Sequence, residues 1–121
     1  MFINDNVFDS GLAYAVTNGS DLHILNADAG GTYGNVATFT VGNETLITVG
    51  SPQAGAVDGR RVVVPAITAG DVTATDTATH WALTDGASIL VASGALTTPQ
   101  AVTSGNTFTL DAIDITIRDA A

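Results

Sequence analysis

Thr79-His80-Trp81-Ala82-Leu83-Thr84-Asp85-Gly86-Ala87-Ser88-Ile89-Leu90-Val91-Ala92 is the stretch that decides the fold class. Trp81–Thr84 and Ser88–Ala92 are apolar runs on either side of Asp85-Gly86. An Asp-Gly pair between such runs marks a tight antiparallel hairpin, because glycine adopts the positive φ that matches the twist of the flanking strands. Two antiparallel strands cannot bury an apolar face alone, so the rest of the chain must supply the remainder of a β-structure.

Outward from this hairpin the texture repeats. Predicted strands cover Leu22–Leu25, Val36–Val41, Thr45–Val49, Arg61–Ile67, Val72–Thr75, Thr79–Thr84, Ser88–Ala92, Gln100–Val102 and Thr107–Ile117. Between them lie Gly30-Gly31, Gly42-Asn43, Asp58-Gly59, Gly70-Asp71, Asp85-Gly86 and Gly105-Asn106. Turn signals every ~8–12 residues, without alternating helices, predict an all-β antiparallel sandwich or small barrel. Alternation places Ala37, Phe39 and Val41 on one face of their segment, opposite Val36, Thr38 and Thr40. In Thr107–Ile117, Phe108 and Leu110 occupy even positions but Ile113, Ile115 and Ile117 odd ones. A period-two pattern changes parity only through an extra residue, which predicts a bulge or bend at Asp111-Ala112 where the strand turns between two sheets. Pro65, which lacks a ladder donor, marks the end of the Arg60–Val64 run.

Phe2 to Asn18 holds the one predicted helix, with Asp9-Ser10 as N-cap and Asn18-Gly19 as stop. The domain reading is therefore an N-terminal segment 1–20 and a β-sandwich domain 21–121. At 121 residues the chain is long enough for one core. It is 45% hydrophobic and 12% charged, the reverse of a disordered composition. Twelve acids face three arginines and no lysine, giving a formal charge of −9. Nucleic acid and anionic membrane surfaces are disfavoured as partners, because phosphate binding needs Lys and Arg. Absence of cysteine removes disulfides and thiolate chemistry. The start Met1-Phe2-Ile3-Asn4-Asp5-Asn6 has neither a basic region nor an apolar run, so the chain is expected to be made in a cytoplasm.

Residues that carry chemistry are few. His23 and His80 are the only imidazoles, with no nucleophile elbow, His-x-x-x-His pair or lysine-bearing phosphate loop beside them. They read as strand histidines with satisfied hydrogen bonds. The aspartates fall mostly at turns, where they bond to nearby backbone, and none forms a calcium-loop pattern. No cofactor, metal ligand or catalytic residue is predicted. Trp81, the sole tryptophan, reads as a core or interface anchor; a sugar-stacking platform is the alternative and requires polar partners nearby. Arg60-Arg61 is the one local concentration of positive charge, suited either to an acidic patch on a neighbour or to solvent.

Thr79-His80-Trp81-Ala82-Leu83-Thr84-Asp85-Gly86, Ile89-Leu90, Gly94-Ala95-Leu96 and Ser104-Gly105-Asn106-Thr107-Phe108 together resemble a segment of small tailed-phage virion proteins. In that group a T-H-x-x-L-x-D strand leads into a turn, a G-x-L strand and a G-(D/N)-T-F hairpin. The resemblance covers about Gly59 to Ile117 and rests mostly on structural punctuation. It implies a β-sandwich or jelly-roll module assembled in many copies, with a head decoration (cement) protein on the capsid exterior as the first expectation. Its partners would be the major capsid protein and further copies of itself, as a homotrimer in the style of the group. Candidate interface residues are Phe2, Ile3 and Phe8 of the N-terminal segment, with Arg60, Arg61 and Trp81. The alternative is a tail or fibre module gripping a host glycan, which predicts an exposed aromatic beside amide or carboxylate groups. A small hydrolase, the third class, predicts His23 or His80 in a pocket beside an aspartate and a hydroxyl.

Overall fold

Asn4 sets the start of the first helix, α1 (Asp5–Asn18): its side-chain oxygen accepts the Asn6 N–H at 2.8 Å, as an N-cap does. The computed structural model describes residues 2–118. The expected cap, Asp9-Ser10, lies inside the helix, because Asp9 is engaged by Arg60 and Asn4 takes over the capping. The predicted stop holds, and Gly19 donates its N–H to the Ala15 carbonyl at 2.8 Å. A Cβ on Gly19 would lie 2.7 Å from that carbonyl oxygen and 2.8 Å from Leu83 Cδ2, so close approach requires glycine. Phe8, Leu12 and Ala15, at helical spacing, form the buried face of α1. Leu12 and Ala15 join the main core, so the N-terminal segment and the β-region share one interior.

The remaining elements are β1 (Asp21–Leu25), α2 (Tyr33–Phe39), β2 (Thr40–Glu44), β3 (Gln53–Ala54), β4 (Arg60–Val64), β5 (Ile67–Val72), β6 (Asp76–Thr84), β7 (Leu90–Val102), β8 (Thr107–Leu110) and β9 (Ile113–Ile117). Six strands pair antiparallel in the order β7-β6-β1-β2-β5-β8, and a smaller sheet has the order β3-β4-β9. The larger sheet curls, and the molecule is mostly β and sandwich-like. Its main core joins Leu22, Ile24, Leu83 and Phe108 of the larger sheet to Val62 and Val64 of the smaller one, with Leu12 and Ala15 of α1.

The bend predicted at Asp111-Ala112 and the strand end predicted at Pro65 fall side by side. β4 and β5 part at Pro65-Ala66, and β8 and β9 part at Asp111-Ala112. Val64 pairs with Ile113 on one side of the break, and Ile67 with Leu110 on the other. One antiparallel ribbon thus bends from sheet to sheet, with proline on one strand and the parity change on the other at the same level. The single strand expected over Arg61–Ile67 is therefore two, in different sheets.

The central hairpin is present as β6–β7, with Asp85 to Ile89 as its connection rather than a two-residue turn. A single carboxylate oxygen of Asp85 accepts the N–H groups of Ala87, Ser88 and Ile89 at 2.8–2.9 Å, and Gly86 takes a φ of 78°. Ser88 lies in this connection, and the runs expected at Ser88–Ala92 and Gln100–Val102 belong to one long strand, β7. The strand expected at Val72–Thr75 instead ends at Val72, and Gly70-Asp71 lies within β5 rather than at a turn.

The largest departure is at residues 33–39. Val36–Val41, expected as an alternating strand, begins within α2 and becomes strand only from Thr40. Tyr33, Val36 and Phe39 recur at a helical spacing of three while Ala37, Phe39 and Val41 alternate, so this short window carries both patterns. A second apolar patch decides between them: Val36 packs with Leu25, Ala29 and Ala82, and Phe39 and Leu90 border the cluster. Gly42-Asn43, expected as a turn, lies within β2, where a Cβ on Gly42 would stand 2.7 Å from the Asp71 carbonyl of β5. Thr45–Val49 forms no strand; Leu46 has a φ of 58°, and Val49 alone of the segment is buried.

Candidate functional site

Charge is sorted by the fold. Arg60 Nε and Nη2 reach the two carboxylate oxygens of Asp9 at 2.8 and 3.2 Å, joining β4 to α1. Arg61 pairs with Asp114 across β4–β9, and Arg118 pairs with Asp58. All three arginines of the chain are thus held within it, around the smaller sheet. The Arg60-Arg61 pair, expected either at a neighbour or in solvent, is spent on internal pairs.

The other candidates separate by exposure. Phe8 is 4% exposed and sits under α1 in the core, so it presents nothing to a partner in this fold. Phe2 is 85% exposed and Ile3 half-buried. Val7 and Tyr14, seven residues apart on α1, are 62% and 52% exposed on a face separate from the Phe8-Leu12-Ala15 stripe. Sequence reading had not singled out Val7 and Tyr14; two apolar stripes on one short helix were the available signal.

Each histidine stands beside a threonine hydroxyl, and neither lines the cleft that contains Trp81. His23 Nδ1 lies 3.2 Å from the Thr40 hydroxyl, and burial holds its pKa below the ordinary value against the opposing pull of Asp21. His80 Nδ1 shares a hydrogen bond with the Thr79 hydroxyl at 2.9 Å. No group of three His, Cys, Asp or Glu side chains poised for a metal occurs among the described residues.

Trp81 is half-buried and packs against the main core, and it also forms part of a cleft of about 540 Å³. The cleft exists because β7 departs from regular pairing. Ala78 pairs with Gln100 and His80 with Ala95, so Leu96–Pro99 stand opposite Thr79 alone. This bulge carries Leu96, Thr97 and Thr98 towards Thr109, Leu110, Asp111, Ala112 and Ile113 at the ribbon corner. Gly94 lets the indole lie close on β7, since a Cβ there would meet Trp81 Nε1 at 3.0 Å. The side chains of Trp81, Thr97, Thr98, Gln100, Thr109 and Asp111 have no hydrogen-bond partner among the described residues. Sequence reading placed Trp81 and the Asp111-Ala112 corner but did not bring them together; Pro99 within a strand was the local sign of the bulge.

No protein-family model, curated protein or solved structure matches the chain. No described helix is long and apolar enough to cross a membrane.

Titration of the fold follows from these contacts. Three backbone N–H groups hold the Asp85 pKa below the ordinary carboxylate value, and the Asn26 amide and Thr77 N–H do the same for Asp76. A depressed carboxylate stabilises the fold above its unfolded pKa of ~3.9 and ceases to do so as pH falls through the lower folded value. His23, also depressed, contributes fully above its unfolded pKa of ~6.5 and loses that contribution as pH falls. All three therefore act in one direction. Thermal unfolding followed by circular dichroism is expected to show a falling midpoint from pH 7 to below ~4, with the acid limb shallower in Asp85→Asn.

Proposed function

We propose that this chain is a virion structural protein of a tailed phage, a head decoration protein that binds the capsid exterior and stabilises contacts between major-capsid subunits. The observation that carries this reading is the exposed apolar set Phe2, Val7 and Tyr14, on and just before a helix whose other apolar face is already buried. Apolar side chains left exposed along a helix are suited to seating on a partner surface. The resemblance of residues 59–117 to small virion proteins supplies the kind of partner, and the jelly-roll pattern it implies belongs to the same proposal.

The mechanism is binding alone. Modest contacts, repeated over a symmetric lattice by copies joined as a trimer, raise the cost of separating subunits under internal pressure. Internal pairing of every arginine leaves the apolar set, rather than basic charge, to make the contact. A tail or fibre module that grips a host surface is the second reading, favoured by the unpaired polar groups around Trp81.

Copy number in purified particles separates the two. Hundreds of copies per virion, and particles lacking the protein that open sooner on heating or osmotic shock, are the expected result. A handful of copies at the tail tip, or unchanged particle resistance, overturns the decoration reading.

A further inference from the structure

We infer that the cleft beside Trp81 is a binding site for a neutral carbohydrate. An aromatic wall, apolar Leu96, Leu110 and Ile113, and a ring of unpaired hydroxyl, amide and carboxylate groups meet in one concavity. A pyranose has this duality: one C–H face that packs on an indole, and equatorial hydroxyls that need donors and acceptors together. Trp81 Nε1–H donates, Asp111 accepts, and Gln100 and the three threonines do both. The volume, about 540 Å³, lies within the ~300–1,000 Å³ usual for small-ligand sites.

Charge and backbone select against the other occupants. No Lys or Arg lines the cleft and Asp111 does, so sialylated, sulfated or phosphorylated ligands meet repulsion without a counter-charge. An added β-strand would need an open ladder edge; this portion of β7 is bulged and contains Pro99, and β8, the sheet's other edge, offers only the four residues Thr107–Leu110. Bulges and proline are the features that blunt strand edges against pairing. The same bulge brings Thr97 and Thr98 to the cleft, a role that bulges commonly have beside functional sites. This assignment rests on the cleft's own geometry and stands wherever on a particle the chain is placed.

Because Trp81 is the only tryptophan, its fluorescence reports this cleft with no background from another indole. The test titrates the intact chain with glucose, galactose, mannose, rhamnose, N-acetylglucosamine and their disaccharides, with N-acetylneuraminic acid, glucuronate and an extended lysine–threonine octapeptide as comparisons. At least one neutral sugar is expected to shift Trp81 emission saturably and to move the amide resonances of residues 95–100 and 109–113. Asp111→Ala is expected to weaken that sugar about tenfold, the effect of losing a hydrogen bond to a charged acceptor, with an unchanged circular dichroism spectrum. Gln100→Ala provides a second variant at a site outside the core. Silence of every neutral sugar, tighter binding of an acidic sugar or of the octapeptide, or shifts mapping elsewhere overturns the inference. Particle copy number is unaffected by any of these results, so failure here is distinct from failure of the decoration reading.

Discussion

Phe108→Ala lowers the free energy of unfolding by about 3–5 kcal/mol, the usual cost of emptying a buried aromatic site. Phe108 is 2% exposed and pairs across β5–β8 with Gly70. Its ring covers that glycine so closely that a Cβ would stand 2.3 Å from two ring carbons. Gly70→Ala therefore forces the ring or the strand to move, at about 1–3 kcal/mol as overpacking normally costs. The two effects are coupled through one contact, so they do not add. In a Phe108→Ala background the ring is gone, and Gly70→Ala loses most of its cost. Urea unfolding of both single variants and the double variant checks this. Strict additivity would show that Gly70 serves something other than the ring.

The second large effect lies at α2. Val36→Asp places a carboxylate beside Leu25, Ala29 and Ala82 and costs about 3 kcal/mol or more, as an unpaired buried charge does. Ala37→Asp, at an exposed position one residue along, stays within about 0.5 kcal/mol of the parent. The strand expected from alternation puts Ala37, not Val36, on the Phe39-Val41 face. Denaturant midpoints of these two variants thus decide between helix and strand for Val36–Phe39, the residues the two readings share. Equal costs, or the reverse order, would contradict the helix.

Proposed binding and the inferred sugar site use different parts of the molecule. Phe2, Val7 and Tyr14 belong to the N-terminal region, whereas the cleft lies between the β7 bulge and the ribbon corner. On the proposed reading, one surface holds the particle and the other is left for a glycan. Substitutions in one region are accordingly expected to leave the other's readout unchanged.

Signals written in contiguous residues were legible from the start. Asp85-Gly86 marks the hairpin because the turn's backbone demands a residue of that freedom, and the structure gives Gly86 a φ of 78°. The parity change at Asp111-Ala112 and Pro65 mark the corner, since side-chain alternation and a missing N–H are properties of the local chain. Gly19 marks the end of α1 for a comparable steric reason. Residues 33–39 were not legible in this way: the spacing of three in Tyr33, Val36 and Phe39 overlaps the alternation of Ala37, Phe39 and Val41, and only the patch around Leu25 and Ala82 resolves it.

The same division applies to Trp81, the residue at the centre of the opening stretch. Sequence alone determined that it stands in a hairpin strand and that no catalytic motif accompanies it. Whether polar partners stand near it depended on residues about 16 to 30 positions away along the chain, at Thr97, Thr98, Gln100, Thr109 and Asp111. Tertiary structure brings them together, because the β7 bulge and the ribbon corner are products of long-range pairing that no local window records.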